Sequence, residues 1–304
     1  MRKLWIMPVV AALLLLAAGC SVPKVSVPDS ADHVGLSRER DEVLSGTTGQ
    51  GEVRWNYRIT TYTVTGEHCA QDDPRHVLTR HSYQLAAMEV LPAEGSREVP
   101  AEAIAAAAAF NGCFEQVLRE ETAWFDEMAA DADADYSAVG HEADSLWQQA
   151  GFHYSDEAAL SFWSNDHILC VTTDRCSYSG GAHPTAWRSC MSFDLSTGKA
   201  VPLTEMADDM AQLRETVARE LLRQAAERQR GTSEVDPIAY YDDYMETLEA
   251  WTERSVCFDD QGMTVIFGVY DIAPYAAGEQ CFRIPYELLL PCLSSYGRTM
   301  LELH

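Results

Sequence analysis

The residues best able to do chemistry gather in a few short stretches. The first is Tyr178-Ser179-Gly180-Gly181-Ala182-His183-Pro184-Thr185, where a hydroxyl and an imidazole flank two glycines. Ser179 as nucleophile and His183 as base would suit acyl transfer. No acidic partner for them is identifiable in the sequence, and no Gly-x-Ser-x-Gly elbow occurs. The simpler reading is a turn: Gly180 and Gly181 supply positive φ, and Pro184 fixes the chain as it leaves. The second stretch is Asp131, Asp133 and Asp135, with Glu142 at the twelfth place, the oxygen spacing of a calcium loop. Its sixth place, where glycine would allow the sharp turn, is Tyr136. An acidic helix end followed by a loop is therefore preferred over calcium. Tyr270-Asp271-Ile272-Ala273-Pro274-Tyr275-Ala276-Ala277-Gly278 is the third, a loop whose tyrosines serve either packing or contact with a ligand. His76 and His81 are five apart and form no His-Glu-x-x-His zinc helix. Tyr178, His183, Tyr270 and Tyr275 are thus the candidate ligand contacts, with no catalytic residue, metal or cofactor assigned.

These stretches need elements to hold them. Val53 to Thr65 alternates and is rich in aromatic and β-branched residues, so it is expected as a strand, and Val77 to Leu91 is expected as a second, ended by Pro92. Pro100 opens an Ala-rich segment to about Ala130, with Ile104, Phe110, Phe114, Val117, Leu118, Phe125 and Met128 at helical spacing. Ile168 to Tyr178 and Ala186 to Leu195 are strand-like and make the tip a hairpin. Thr204 is expected to cap a long helix whose apolar face is Met206, Met210, Leu213, Val217 and Leu221, with Gly231 ending it. A shorter helix over 240–251, strands over 263–270 and 281–284, and a last helix from Pro285 follow. Links as short as 178–186 cannot make parallel crossovers. The expected class is α+β: a mainly antiparallel sheet with two long helices packed on it.

The compartment is read from the start of the chain. Arg2 and Lys3 precede an apolar run, Leu4 to Ala18, that is short for a bilayer span, and Ala17-Ala18-Gly19-Cys20 follows. This is similar to the lipobox of bacterial lipoproteins, which implies cleavage before Cys20 and its lipidation. The division expected is a signal peptide over 1–19, a flexible tether over 20–52, a smaller α+β domain over 53–160 and a second over 161–304. The formal net charge is −25, and cleavage would remove two basic residues. Such a chain repels nucleic acid and attracts cationic ligands. Of nine cysteines, those beyond Cys20 suggest disulfides in an exported protein, free thiols being the alternative. Cys176 and Cys190 flank the hairpin tip and are the one pair put forward.

Three segments then stand in a telling order: "YSGGAHPT"; Phe193-Asp194-Leu195-Ser196-Thr197-Gly198-Lys199; and "VIFGVYDIAPYAAG" followed by Ile284-Pro285-Tyr286-Glu287-Leu288. Together they resemble the C-terminal extracytoplasmic domain of RsiV-type anti-sigma factors, over roughly residues 160–293. The preceding part is more distantly similar to the smaller domain found with it there and in peptidoglycan deacetylases of the PdaC type. Phe258-Asp259-Asp260-Gln261-Gly262 is similar to the Asp-Asp motif of polysaccharide deacetylases. The paired histidines those enzymes need downstream are missing, so a turn is expected. The resemblance implies an extracytoplasmic binding module with lysozyme as the family's model ligand. Only Met1 to Lys3 precede the apolar run, too little for an anti-sigma segment. The expectation is a non-enzymatic lipoprotein on the outer face of the cell membrane. Its partners would be the membrane, through the lipid, and a cationic protein such as lysozyme or a cell-wall component. A wall-active hydrolase using His183 and a structural envelope lipoprotein are the alternatives.

Overall fold

The computed structural model describes residues 35–47, 53–95, 98–231 and 237–303. The signal segment and Cys20 lie outside them. A six-stranded sheet runs in chain order: β1 (Gly35–Thr47), β2 (Val53–Cys69), β3 (Val77–Pro92), β4 (Tyr154–Ser164), β5 (Ile168–Tyr178) and β6 (Thr185–Asp194). Neighbours are antiparallel except β3 and β4, which pair in parallel from Thr79↔Tyr154 to Tyr83↔Ala158. That one parallel step is the one with a long connection, and α1 (Ala101–Val139) fills it. A three-stranded antiparallel sheet of β7 (Val256–Asp259), β8 (Gly262–Phe267) and β9 (Gln280–Pro285) forms a second layer. The α+β class with its mainly antiparallel sheet and two long helices is what the chain adopts. No helix of the described residues is long and apolar enough to cross a membrane.

The helix α1 docks on the first sheet by small residues and one amide. Ala103, Ala106, Ala107, Phe110 and Phe114 are buried against Trp55, Tyr57, Leu85 and Phe193. Asn111 donates to the Met88 carbonyl (3.0 Å) and accepts from the Met88 N–H (2.7 Å), so a buried amide is fully engaged. Alanine at 106 lets the turn after β6 come close. A Cβ on Gly198 (φ 65°) would sit 1.7 Å from the Ala106 carbonyl oxygen, so only glycine fits. The second core lies between the three-stranded sheet and the remaining helices: α2 (Leu203–Met206), α3 (Met210–Arg230), α4 (Tyr244–Glu249), α5 (Tyr286–Leu289) and α6 (Ser295–Met300). Met206, Leu213, Val217 and Leu221 are fully buried there, as their spacing predicts, with Met210 packed beside them.

Several expectations change. Of the tether expected over 20–52, Gly35–Thr47 is a strand, because the outer edge of β2 offers a free ladder and the segment pairs with it from Gly35↔Thr65 to Thr47↔Val53, and the rest lies outside the described residues. The expected division at residue 160 falls inside β4, and the ladder is continuous across it. The helix expected from Thr204 is broken into α2 and α3. Ala207 leaves helical geometry to bridge Leu293, and Asp208 N–H donates to the Cys292 carbonyl (3.0 Å). Asp209, not Thr204, caps α3, accepting from the N–H groups of Ala211 (2.9 Å) and Gln212 (3.0 Å). The Cys176–Cys190 pair does not form. Register places Cys176 opposite Ala186 and Cys190 opposite Thr172, four residues along the strand. Cys190 is bonded instead to Cys257 of β7, which ties the two sheets together, and Cys176 is a free, exposed thiol.

Candidate functional site

The β5–β6 hairpin tip is the turn its sequence predicts. Gly180 and Gly181 take φ of 97° and 88°. The Tyr178 hydroxyl donates to the Gly181 carbonyl (2.9 Å) across the tip, and its ring meets Phe152 edge-on at 6.2 Å. Tyr178 is therefore a brace of the turn. His183 points elsewhere. Its exposed ring stacks on Tyr275, with centroids 4.3 Å apart and planes 8° from parallel.

Tyr275 reaches this position from the loop between β8 and β9. That loop is held at several points. Asp271 accepts from the Gly268 N–H (2.7 Å), Ile272 and Ala273 are buried, and the Tyr241 N–H donates to the Ile272 carbonyl (2.9 Å). Tyr270 adopts φ 71°, a conformation non-glycine residues seldom take, and stays 48% exposed while its ring lies 5.6 Å from Tyr275. A strained residue presenting an exposed ring is a pattern that functional surfaces favour. Of the four contacts read from sequence, the fold brings His183, Tyr270 and Tyr275 together and leaves Tyr178 to brace the tip. Asp259, by contrast, is a turn residue: its carboxylate accepts from the N–H groups of Gln261 (2.8 Å) and Gly262 (3.1 Å) and pairs with Arg283.

A second constellation was not foreseen. His81 on β3, Glu121 on α1, Asp156 on β4 and Arg175 on β5 converge between helix and sheet. Arg175 grips both carboxylates two-pronged, at 2.6 and 2.9 Å to Asp156 and 2.9 Å twice to Glu121. His81 Nε2 lies 3.1 Å from Asp156 and 3.2 Å from Glu121, between the two and aligned for a good hydrogen bond with neither. Its ring is stacked between Tyr83 (4.7 Å) and Phe125 (5.5 Å). Trp124 and Trp187 lie against the guanidinium at 5.3 and 5.6 Å.

The electrostatics of this cluster balance. Burial opposes the charged form of His81, but the carboxylates of Asp156 and Glu121 beside Nε2 outweigh it and hold the pKa above the ordinary value. Burial likewise opposes the Asp156 anion, yet His81 and Arg175 bring its pKa down to about 2. Two carboxylates thus face an imidazolium and a guanidinium. The three groups His81, Glu121 and Asp156 have the donor set and proximity of a metal site. Arg175 already bridges both carboxylates, so a metal ion would have to compete with a fixed cation. The signal in sequence was faint: single charged residues, three on strands and one on α1, 19 to 75 residues from their partners. The Asp131–Glu142 calcium loop does not form. Asp131, Asp133 and Asp135 lie within α1, which turns Asp133 away from the other two: Asp133 pairs with His68 and Asp135 accepts from Tyr154.

With this geometry in place, the chain can be set beside known proteins. Residues 203–287 match DUF3298, described as a protein of unknown function. That stretch is a DUF3298 domain. A DUF3298 family member from Bacteroides fragilis has a similar structure, at TM-score 0.51 and 17% identity, over 90% of this chain and 97% of that one. That likeness shows a shared fold. A DUF3298 family protein from Pseudomonas aeruginosa is also similar, at TM-score 0.45 and 16% identity, over 77% of this chain and 94% of that one. No curated protein matches. The DUF3298 stretch takes in the Tyr270–Tyr275 loop but not the hairpin tip, nor His81, Glu121, Asp156 or Arg175.

Proposed function

We propose that this DUF3298-containing chain is a binding protein rather than an enzyme, anchored by a lipid on Cys20 to the outer face of the cell membrane. The observation that carries the reading is the joint His183–Tyr275–Tyr270 surface, built from two chain segments that meet only in the folded protein. Rigid rings exposed on a braced turn supply contact area with little ordering entropy. The acidic chain favours a basic partner. A lysozyme-like protein is the ligand implied by the RsiV-type resemblance, and a wall component is the other member of the class.

The test measures binding of the full chain to lysozyme and to purified peptidoglycan, for the wild type, His183→Ala and Tyr275→Ala. The reading expects saturable binding to one of them and roughly tenfold weakening in both variants. Product release from peptidoglycan that His183→Ala abolishes would replace it with the hydrolase reading. Binding to neither ligand at low salt would replace it with a structural envelope role.

A further inference from the structure

Beside the hairpin tip, lined by Ser179, Gly180 and Gly181 but not by His183, lies an open cleft of about 460 Å³, a size within the ~300–1,000 Å³ of ordinary ligand sites. Gly180 and Gly181 form one wall. The floor is aromatic. Trp147 packs edge-on to Phe152 (4.9 Å) and against Tyr154 (5.1 Å), and Tyr178 closes the row through Phe152. The opposite wall is acidic: Asp135 at the end of α1, then exposed Glu142 and Asp144 in the segment that follows. Asp135 accepts from the Tyr154 hydroxyl at 2.6 Å, which sets a carboxylate at the edge of the ring floor. Val139 and Leu146, 41% and 43% exposed, leave an apolar shelf at the mouth. Among the described residues lining the cleft, none is cationic.

This combination recognises a particular chemistry. Ring faces and carboxylates attract the same charge, and the cation–π and Coulomb contributions act in one direction. The apolar shelf suits a methylene stem, as on lysine or arginine, whose aliphatic part lies on apolar surface while its head reaches polar groups. A divalent metal would use the carboxylates but neither the ring floor nor the apolar shelf.

We propose that the cleft receives a lysine or arginine side chain projecting from a basic protein partner. Its head would lie between the Phe152 ring and the carboxylates of Glu142 and Asp144, and its stem would lie on Val139 and Leu146. The proposal rests on the binding reading above and names the partner's contacting group. It gives the hairpin tip two roles, aromatic contact through His183 and cation capture beside Gly180 and Gly181.

The test is calorimetric titration of the purified full chain with a tetralysine peptide blocked at both ends, beside the same peptide acetylated on every ε-amine. The expected result is binding of the first and not the second. Glu142→Gln with Asp144→Asn should weaken it about tenfold, and Phe152→Leu several-fold. Circular dichroism melts check that each variant folds. Glu215→Gln with Glu227→Gln, which removes two exposed carboxylates of α3 instead, should leave binding within twofold. Equal loss in that control, unchanged binding in the Glu142/Asp144 variant, or binding of the acetylated peptide overturns the proposal. The two readings separate cleanly. If tetralysine binds as described while neither lysozyme nor peptidoglycan does, the function proposed above fails and the cleft stands. If lysozyme binds through His183 and tetralysine does not, the reverse holds.

Discussion

His183 and His81 are both stacked on aromatic rings, and their surroundings differ in every other respect. His183 is exposed, lies face to face with Tyr275, and joins segments from the two sheets. His81 is buried between Tyr83 and Phe125, with two carboxylates at its Nε2 and Arg175 behind them. The first arrangement leaves ring surface facing outward at little cost in stability. The second commits four charged groups to one another and leaves little for a ligand to take hold of. The same residue type is thus left open to contact where water reaches it and fixed where counter-charge encloses it. Burial and the nearest charges decide between the two.

The comparison breaks first at Asp156. Replacing it with alanine leaves His81 and Arg175 with one carboxylate between them in a buried site. The expected loss is about 3–5 kcal/mol, read as a lowered urea midpoint with unchanged slope. A loss below ~1 kcal/mol would show that the network is well solvated and that the contrast with His183 is overdrawn.

Reducing the Cys190–Cys257 bond comes next, with an expected loss of about 2–4 kcal/mol. It should also divide the two sites. The bond ties the first sheet to the second, and His183 meets Tyr275 only because those sheets are docked. His81, Glu121, Asp156 and Arg175 all belong to the first sheet and α1. Mild reductant should therefore speed hydrogen exchange in the 268–278 loop and leave exchange along β3 and β4 unchanged. Equal loosening of both would mean that the two layers unfold as one unit.

How far these sites could be read from sequence follows from the same contrast. The tip and the tyrosine loop were legible because glycine, proline and tyrosine in short runs carry local turn information. β5 and the buried face of α3 were legible because their periodicities are local too. β1 was missed because its pairing depends on the long edge of β2, not on its own glycine-rich composition. The break before α3 was missed because Ala207 and Asp208 answer to Leu293 and Cys292, far along the chain. The His81 cluster draws one residue from each of four elements, so no local pattern announces it. The disulfide was misassigned because flanking a tip says nothing about register: cysteines four positions out of step cannot meet.

The pH dependence of stability gives a finer test of the buried histidine. His81 has a folded pKa above its unfolded value, so its contribution is fully present below about pH 6.5 and is lost as pH rises through the folded pKa. Asp156, held down to about 2, contributes fully above about pH 4 and loses its share as pH falls through that value. The Asp156 shift corresponds to about 2 kcal/mol. The wild type should thus be most stable between roughly pH 4 and 6.5 as far as this cluster governs it. Glu121 lies 3.2 Å from the same imidazole and is itself paired with Arg175 at 2.9 Å. His81→Gln should flatten the alkaline side of the profile relative to wild type. An alkaline slope that persists unchanged in His81→Gln would assign it to other groups.

The smallest expected effect on stability is at His183. Its ring is exposed, and among the described residues no ion pair depends on it, so His183→Ala should shift the urea midpoint by the equivalent of no more than ~0.5 kcal/mol. The same substitution exposes the face of Tyr275 that the imidazole covers and frees that ring to move. If the stacked pair is a preformed contact surface, affinity for lysozyme or for the wall ligand falls about tenfold while stability holds, and His183→Phe, which keeps a flat ring, recovers most of it. If alanine at 183 instead lowers stability by more than ~1 kcal/mol and phenylalanine restores stability without restoring binding, the imidazole is serving as a packing residue. The distinction between the two histidines would then be one of degree, with His183 a weaker copy of the fixation seen at His81.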